Sequence, residues 1–290
     1  MTATSLSGDR AALVFTTYSG PYQVAIVDFA TCSGRVIFSQ NLYAKPEVVE
    51  ADGDLLIFNS QMATLAEFLP DGQVQLRYGS LSADQLFAAG PEHLVWIARD
   101  GYDETGGIVS SVHAAAACDV ADVLRKVGTE NPDGMFEGES VIAALDDDNV
   151  ITFDTEGYSY LVDADACDGV FALLVPSWGV AAGESAAHGG YVVTFDDRGA
   201  RTASYGVVSA LSNEEEGVSY EFSRLSMGAD GVFAVSRTME ESDAHTEHEI
   251  VLFTREAEFS ADGVVQGAHL FVNGSMRGAW LENGSWLAIG

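Results

Sequence analysis

Apolar residues in this chain come in short runs of four to eight, each entered through a turn. "GDRAALVF", "ADGDLLIF", "GPEHLVWI", "DDDNVITF", "AHGGYVVTF", "GADGVFAV" and "ENGSWLAI" repeat one phrase about seven times, roughly 40 or 55 residues apart. Val, Ile, Phe and Tyr dominate the runs, which suits a pleated, half-buried surface. Asp-Gly, Gly-Gly and Asn-Gly pairs occupy the turns, where positive φ is tolerated and tight hairpins form. Each phrase is followed by a second and a third run, and preceded by one more. In the first unit "YQVAIVDFA" and "RVIFSQNLY" flank "TCSG"; in the second "ATLAEFL" and "QVQLRYG" flank "PDG"; in the fourth "YSYLVDA" and "VFALLV" flank "DACDG". The unit therefore reads as four short strands. Helical periodicity is confined to "DVADVLRKVG" (Asp119 to Gly128), a short amphipathic stretch that reads equally as a fourth strand with a long exit loop.

No helices alternate with the strands, so a parallel α/β sheet is excluded. A sandwich would lack the regular four-strand period. The pattern predicts an all-β fold, a β-propeller of about seven four-stranded blades over a single domain, residues 1 to 290. The last unit, "MRGAWLENGSWLAIG", holds two strands; either it is incomplete, or the N-terminal strands close it and six blades remain. On phrases such as "IVDFATCSG" and "LVDADACDG" the chain resembles the β-propeller superfamily, in particular bacterial repeat propellers. The Gly-His and Trp-Asp signature of WD40 blades is absent. The resemblance implies architecture and assigns no activity.

Charge narrows the partners. There are 44 acidic residues against 13 basic, a net charge of -31, and the only lysines are Lys45 and Lys126. Such a surface repels phosphate backbones and anionic lipid heads, which argues against nucleic acid and membrane surfaces. It serves either as a soluble coat or as an attractor of cations or a basic partner. No run of about 18 apolar residues occurs, so membrane insertion is not expected. "MTATSLSGDR" does not read as a leader. The acid excess and scarce lysine lean toward a secreted or cell-surface setting, with a leader not shown. Cys32, Cys118 and Cys167 make an odd count, and they are expected at equivalent turns of separate units, out of bonding reach.

The strand order divides the connections. Those between first and second strands, and between third and fourth, gather at one end and are short. Those between second and third strands, and between units, gather at the other end and vary, as binding loops do. The variable set includes "RDGYDETGG", "DTEGY", "DDRGARTAS", "RTMEESDAHTEHE" and "VPSWG". It supplies the candidate ligand-binding residues Arg99, Tyr102, Asp154, Tyr158, Trp178, Arg198, Arg237 and His245. Arginine forks clamp carboxylates, and aromatic rings stack on a sugar or another ring. No cofactor is expected. Calcium enters only through "DADACDG" and "LDDDN", whose acid spacing fits a calcium loop poorly and a hairpin turn better. His245 and His248 stand three apart, a spacing that serves a metal on a helical turn and not on a strand, so no metal site is assigned.

No nucleophile elbow, His-Glu-x-x-His or phosphate-cradling glycine loop occurs. The reading is a non-catalytic propeller module for binding or assembly, presenting its loop-rich face to a protein or a glycan. The alternative is a propeller hydrolase or lyase with a polar site at a central channel.

Overall fold

The computed structural model describes residues 2–16, 20–42, 45–59, 62–90, 92–102, 104, 106, 108–129, 140–155, 160–176, 189–208, 218–228, 231–241, 246–256, 268–272, 277–280 and 286–289. Strands take up nearly all of the regular structure, and they form meandering four-stranded sheets. Sheet A holds β1 (Thr2–Leu6), β2 (Arg10–Thr16), β3 (Tyr22–Asp28) and β4 (Ser33–Gln40). Sheet B holds β5 (Glu47–Ala51), β6 (Asp54–Phe58), β7 (Met62–Phe68) and β8 (Val74–Ser80). Sheet C holds β9 (Gln85–Ala89), β10 (His93–Tyr102), β11 (Ile108–Ala116) and β12 (Ile151–Phe153). Sheet D holds β13 (Asp163–Cys167), β14 (Val170–Pro176), β15 (Gly189–Phe195) and β16 (Arg201–Val208). Sheet E holds β17 (Val218–Met227), β18 (Val232–Glu241), β19 (Thr246–Thr254) and β20 (Ala268–Val272), and β21 (Arg277–Trp280) pairs with β22 (Trp286–Ile289). In every sheet the spatial order follows the chain order. The protein is all-β and of the β-propeller class.

Among the described residues there are five four-stranded blades and one two-stranded sheet, not about seven blades. The count falls because two of the seven phrases are not second strands. "DDDNVITF" ends in β12, the last strand of sheet C, and "AHGGYVVTF" ends in β15, the third of sheet D. The second strand of sheet D is "VFALLVP", entered through Asp168-Gly169. A polar turn followed by an apolar run marks any strand of a meander, so the phrase by itself does not fix the strand's rank.

The turns follow their chemistry. Asp52-Gly53 has φ of 51° and 83°, and Asp168-Gly169 has 51° and 72°. Both are two-residue hairpin loops, closing Ala51 on Asp54 and Cys167 on Val170. Two positive φ angles in succession match the right-handed twist of the flanking strands, and Asp-Gly is the pair that adopts them at least cost.

The chain forms two compact units, Met1–Arg99 with Val112–Thr152, and Asp100–Ser111 with Phe153–Gly290. In the first, all five residues of β6 are buried. Side chains alternate between the faces of a strand. Leu55 and Ile57 accordingly pack with Val14 and Ile26 of sheet A, while Leu56 and Phe58 pack with Leu94 and Trp96 of sheet C. The outer strand β4 is largely exposed by contrast. In the second unit, Ala172 and Leu174 of sheet D pack with Leu225, Phe233 and Val251 of sheet E. Phe153 lies against Phe171 and Phe195, with ring centroids 5.1 and 5.0 Å apart. Each such aliphatic or aromatic burial contributes about 1.5–3 kcal/mol.

The stretch left open between helix and strand is a helix, α1 (Ala117–Val127). Its buried residues Ala117, Val120, Ala121 and Leu124 follow the i, i+3, i+4, i+7 stripe and join the cluster built on β5, β6 and β7. Arg125 anchors it to β6 by an ion pair of 2.6 Å to Asp54, and a second pair within the helix, 2.6 Å to Asp122, steadies the guanidinium. Gly79 on β8 makes room for it, since a Cβ there would overlap Val141 and come within 2.7 Å of Leu124 Cδ2. Beyond α1 the chain touches the outer edge of β8: Tyr78 N–H donates to Thr129 O, and Val141 N–H donates to Ser80 O. Gly79→Ala is therefore expected to destabilise the protein by about 1–3 kcal/mol, the range for overpacking. A melting curve reads this as a fall of several degrees in Tm, and an unchanged Tm refutes the close packing.

Candidate functional site

In sheet C the second and third strands form a long hairpin. β10 and β11 run ten and nine residues and outlast their neighbours β9 and β12. Their lower parts are anchored. Trp96 is buried and stacks on His113, with centroids 5.6 Å apart and planes at 22°. His113 Nδ1 lies 3.2 Å from the Thr152 hydroxyl of β12. Burial pushes the His93 imidazole at the start of β10 below its usual value, and Glu92 opposes the shift.

Past Arg99 the hairpin leaves the core. Asp100 accepts a hydrogen bond from the Ser111 hydroxyl at 3.0 Å, which puts the two residues on one side of the ribbon. Two residues further toward the tip on each strand stand Tyr102 and Val109. Tyr102 is 66% exposed and Val109 43%. Glu104 is exposed beyond them. Gly101 (φ 146°) and Gly106 (φ 84°) give the tip conformations that a side chain would resist. β10 from Asp100, β11 to Ser111 and β12 from Phe153 fall in one unit, so the exposed Asp154 emerges at the same end of sheet C as Tyr102.

The structure thus brings Tyr102 and Asp154 to one end of one sheet. Arg99, on the same strand as Tyr102, is held by Asp84 at 3.3 Å. Arg198 is placed elsewhere. It sits in the turn between β15 and β16, a connection of third to fourth strand, and its N–H donates to Asp196 Oδ1 at 3.0 Å. Gly199 in that turn has φ of 80°. "DDRGARTAS" therefore belongs with the short connections and not with the variable set, because "AHGGYVVTF" ends in the third strand of sheet D and not the second. Arg237 lies in β18, opposite Phe222 and Glu249 in the ladder. Tyr158, Trp178 and His245 lie outside the described residues. Val109 was not legible, since a valine in a strand ordinarily faces the core.

Acidic residues do structural work away from this end. Leu225 N–H donates to Asp163 Oδ2 at 2.9 Å and Met227 N–H to Asp165 Oδ2 at 2.6 Å, tying β13 to β17. Two acids of the would-be calcium loop are thus engaged with backbone. Glu50 accepts from the Ser7 amide and hydroxyl and from Arg10, joining sheets A and B. Among the described residues, no group of three or more His, Cys, Asp or Glu is placed to hold a metal ion. No described helix is long and apolar enough to cross a membrane.

The cysteines are not at equivalent turns. Cys32 ends the β3–β4 turn with φ of 51°, Cys118 lies in α1, and Cys167 closes β13. Burial, with Asp119 and Asp52 nearby, pushes the Cys118 thiol up; burial, with Asp168 and Asp165, does the same to Cys167.

No protein-family model matches the chain, and no curated protein matches it. Solved structures do. Hsv2 of Kluyveromyces lactis has 9% identity and a TM-score of 0.45 over 94% of this chain and 85% of that one. The WD40 domain of SCAP from fission yeast has 11% identity and a TM-score of 0.31 over 96% and 64%. Porphyromonas gingivalis dipeptidyl peptidase 4 has 12% identity and a TM-score of 0.28 over 96% and 47%.

Asp163→Ala is expected to cost about 1–3 kcal/mol by stranding the Leu225 amide. Urea unfolding reads it, and a loss below about 0.5 kcal/mol would deny the carboxylate its anchoring role. In native protein at pH 8, Cys32 is expected to react first with a thiol reagent, with Cys118 and Cys167 lagging, because the thiolate is the attacking form. Equal rates, read by mass spectrometry of the labelled peptides, contradict the placement.

Proposed function

We propose that this chain is a non-catalytic binding module that receives a protein partner at the end of sheet C where β10 and β11 project. The observation that carries the reading is Tyr102, a large ring left 66% exposed on a ribbon whose base is fixed in the core. Val109, 43% exposed on the facing strand, widens the apolar surface. Tyrosine is enriched among the few residues that dominate protein interfaces, and a ring held on a rigid strand loses little freedom when covered. Asp154 and Glu104 supply a polar rim, and Arg99, already paired with Asp84, stiffens the base. Tyr158, Trp178 and His245 stay candidates of this reading on their sequence alone, and Arg237 stays one from within β18. Arg198 does not. A glycan partner has no comparable support, and no cofactor enters the reading.

The test is photo-crosslinking with p-benzoylphenylalanine at position 102, against a control at Asp71 in the β7–β8 turn. A discrete adduct of defined mass is expected from position 102 alone. Identical patterns from the two positions would overturn the reading. Once the partner is in hand, Tyr102→Ala is expected to weaken binding by about 2 kcal/mol, the scale of an interface hot spot.

A further inference from the structure

We infer that the partner segment received at the β10–β11 end is basic: a stretch of chain in which arginine alternates with apolar residues. The inference rests on the binding reading above and names its chemistry. Along the hairpin, residues 100–111, and at the end of β12, residues 153–155, the described charged groups are carboxylates. Asp100 faces Ser111, Glu104 is exposed beyond the ring, and Asp154 is exposed at the end of β12. The nearest cation along the strand, Arg99, already has Asp84 as its partner at 3.3 Å.

Arg10, Lys45, Arg77, Arg125 and Arg224 are each engaged with a carboxylate of their own. The net charge of -31 sets the sign of the field at long range.

Three kinds of partner meet this surface differently. An anionic segment is repelled before contact. A neutral apolar segment covers the ring but strips water from Asp100 and Glu104 without replacing it, which is unfavourable. An arginine-bearing segment satisfies both demands. Its guanidinium plane lies on the exposed face of Tyr102 while its N–H groups reach the flanking carboxylates, and its apolar neighbours cover Val109. Arginine suits this better than lysine because the fork is planar and less strongly hydrated.

The experiment uses the full chain and three fluorescein-labelled decapeptides, alternating Arg-Leu, Ser-Leu and Glu-Leu, with anisotropy at 150 mM salt. Tight Arg-Leu binding is expected, with affinity falling about tenfold in Tyr102→Ala although the net charge is unchanged. Asp146→Asn/Asp147→Asn/Asp148→Asn removes three exposed charges elsewhere and is expected to change it less than twofold. Val109→Ser provides a second variant should the first fail to fold, and circular dichroism checks both. If Arg-Leu binding follows the triple variant and ignores Tyr102, the attraction is diffuse and the inference falls. If Ser-Leu binds as well as Arg-Leu and depends on Tyr102, the docking surface stands and its basic preference falls. If no peptide responds to Tyr102 and the crosslinker at position 102 captures nothing, the binding reading falls with it.

Discussion

The architecture depends on a strand that has no solvent face. β6 shows it most plainly: Leu55 and Ile57 turn toward sheet A, Leu56 and Phe58 toward sheet C, and nothing of the strand is left for water. A sheet in that position must be apolar on both sides, so its strands read as continuous hydrophobic runs instead of alternating ones. Polar residues are pushed to the outer strand, as in β4, and to the connections. Chemistry is left to the outer strands and to the ends of the sheets.

That constraint explains the acids as well. Where a first strand meets the next blade, backbone amides face a neighbouring sheet instead of water, and a carboxylate is the side chain that accepts from them. Asp163, Asp165 and Glu50 do this work. A composition this acidic thus divides into carboxylates that stitch sheets and carboxylates that stay in solvent. Only the second kind is available to a partner.

The sheets were largely legible in the sequence, and the reasons for the exceptions are local. Asp52-Gly53 announces a tight hairpin because those two residues accept the angles that it needs. The blade count was not legible, since "DDDNVITF" and "AHGGYVVTF" carry the same turn-then-apolar pattern at other ranks. The period of Ala117, Val120, Ala121 and Leu124 was visible, but a four-strand expectation competed with it until packing against sheet B decided. At the candidate site, Tyr102 stood out as an aromatic in a polar stretch. Val109 did not, because exposure depends on how far a hairpin extends past its neighbours, and spacing alone does not encode that length.

Sheet C has one more property. Its closing strand β12 is three residues long, and thirty-four residues, 117 to 150, separate it from β11. So short a strand gains too little from pairing to offset the entropy of closing so long a loop. The seating of α1 on sheet B shortens that loop, by fixing Leu124 and Val141 against Gly79. Completion of the third blade thereby draws on contacts made by the second, which couples the stability of the two.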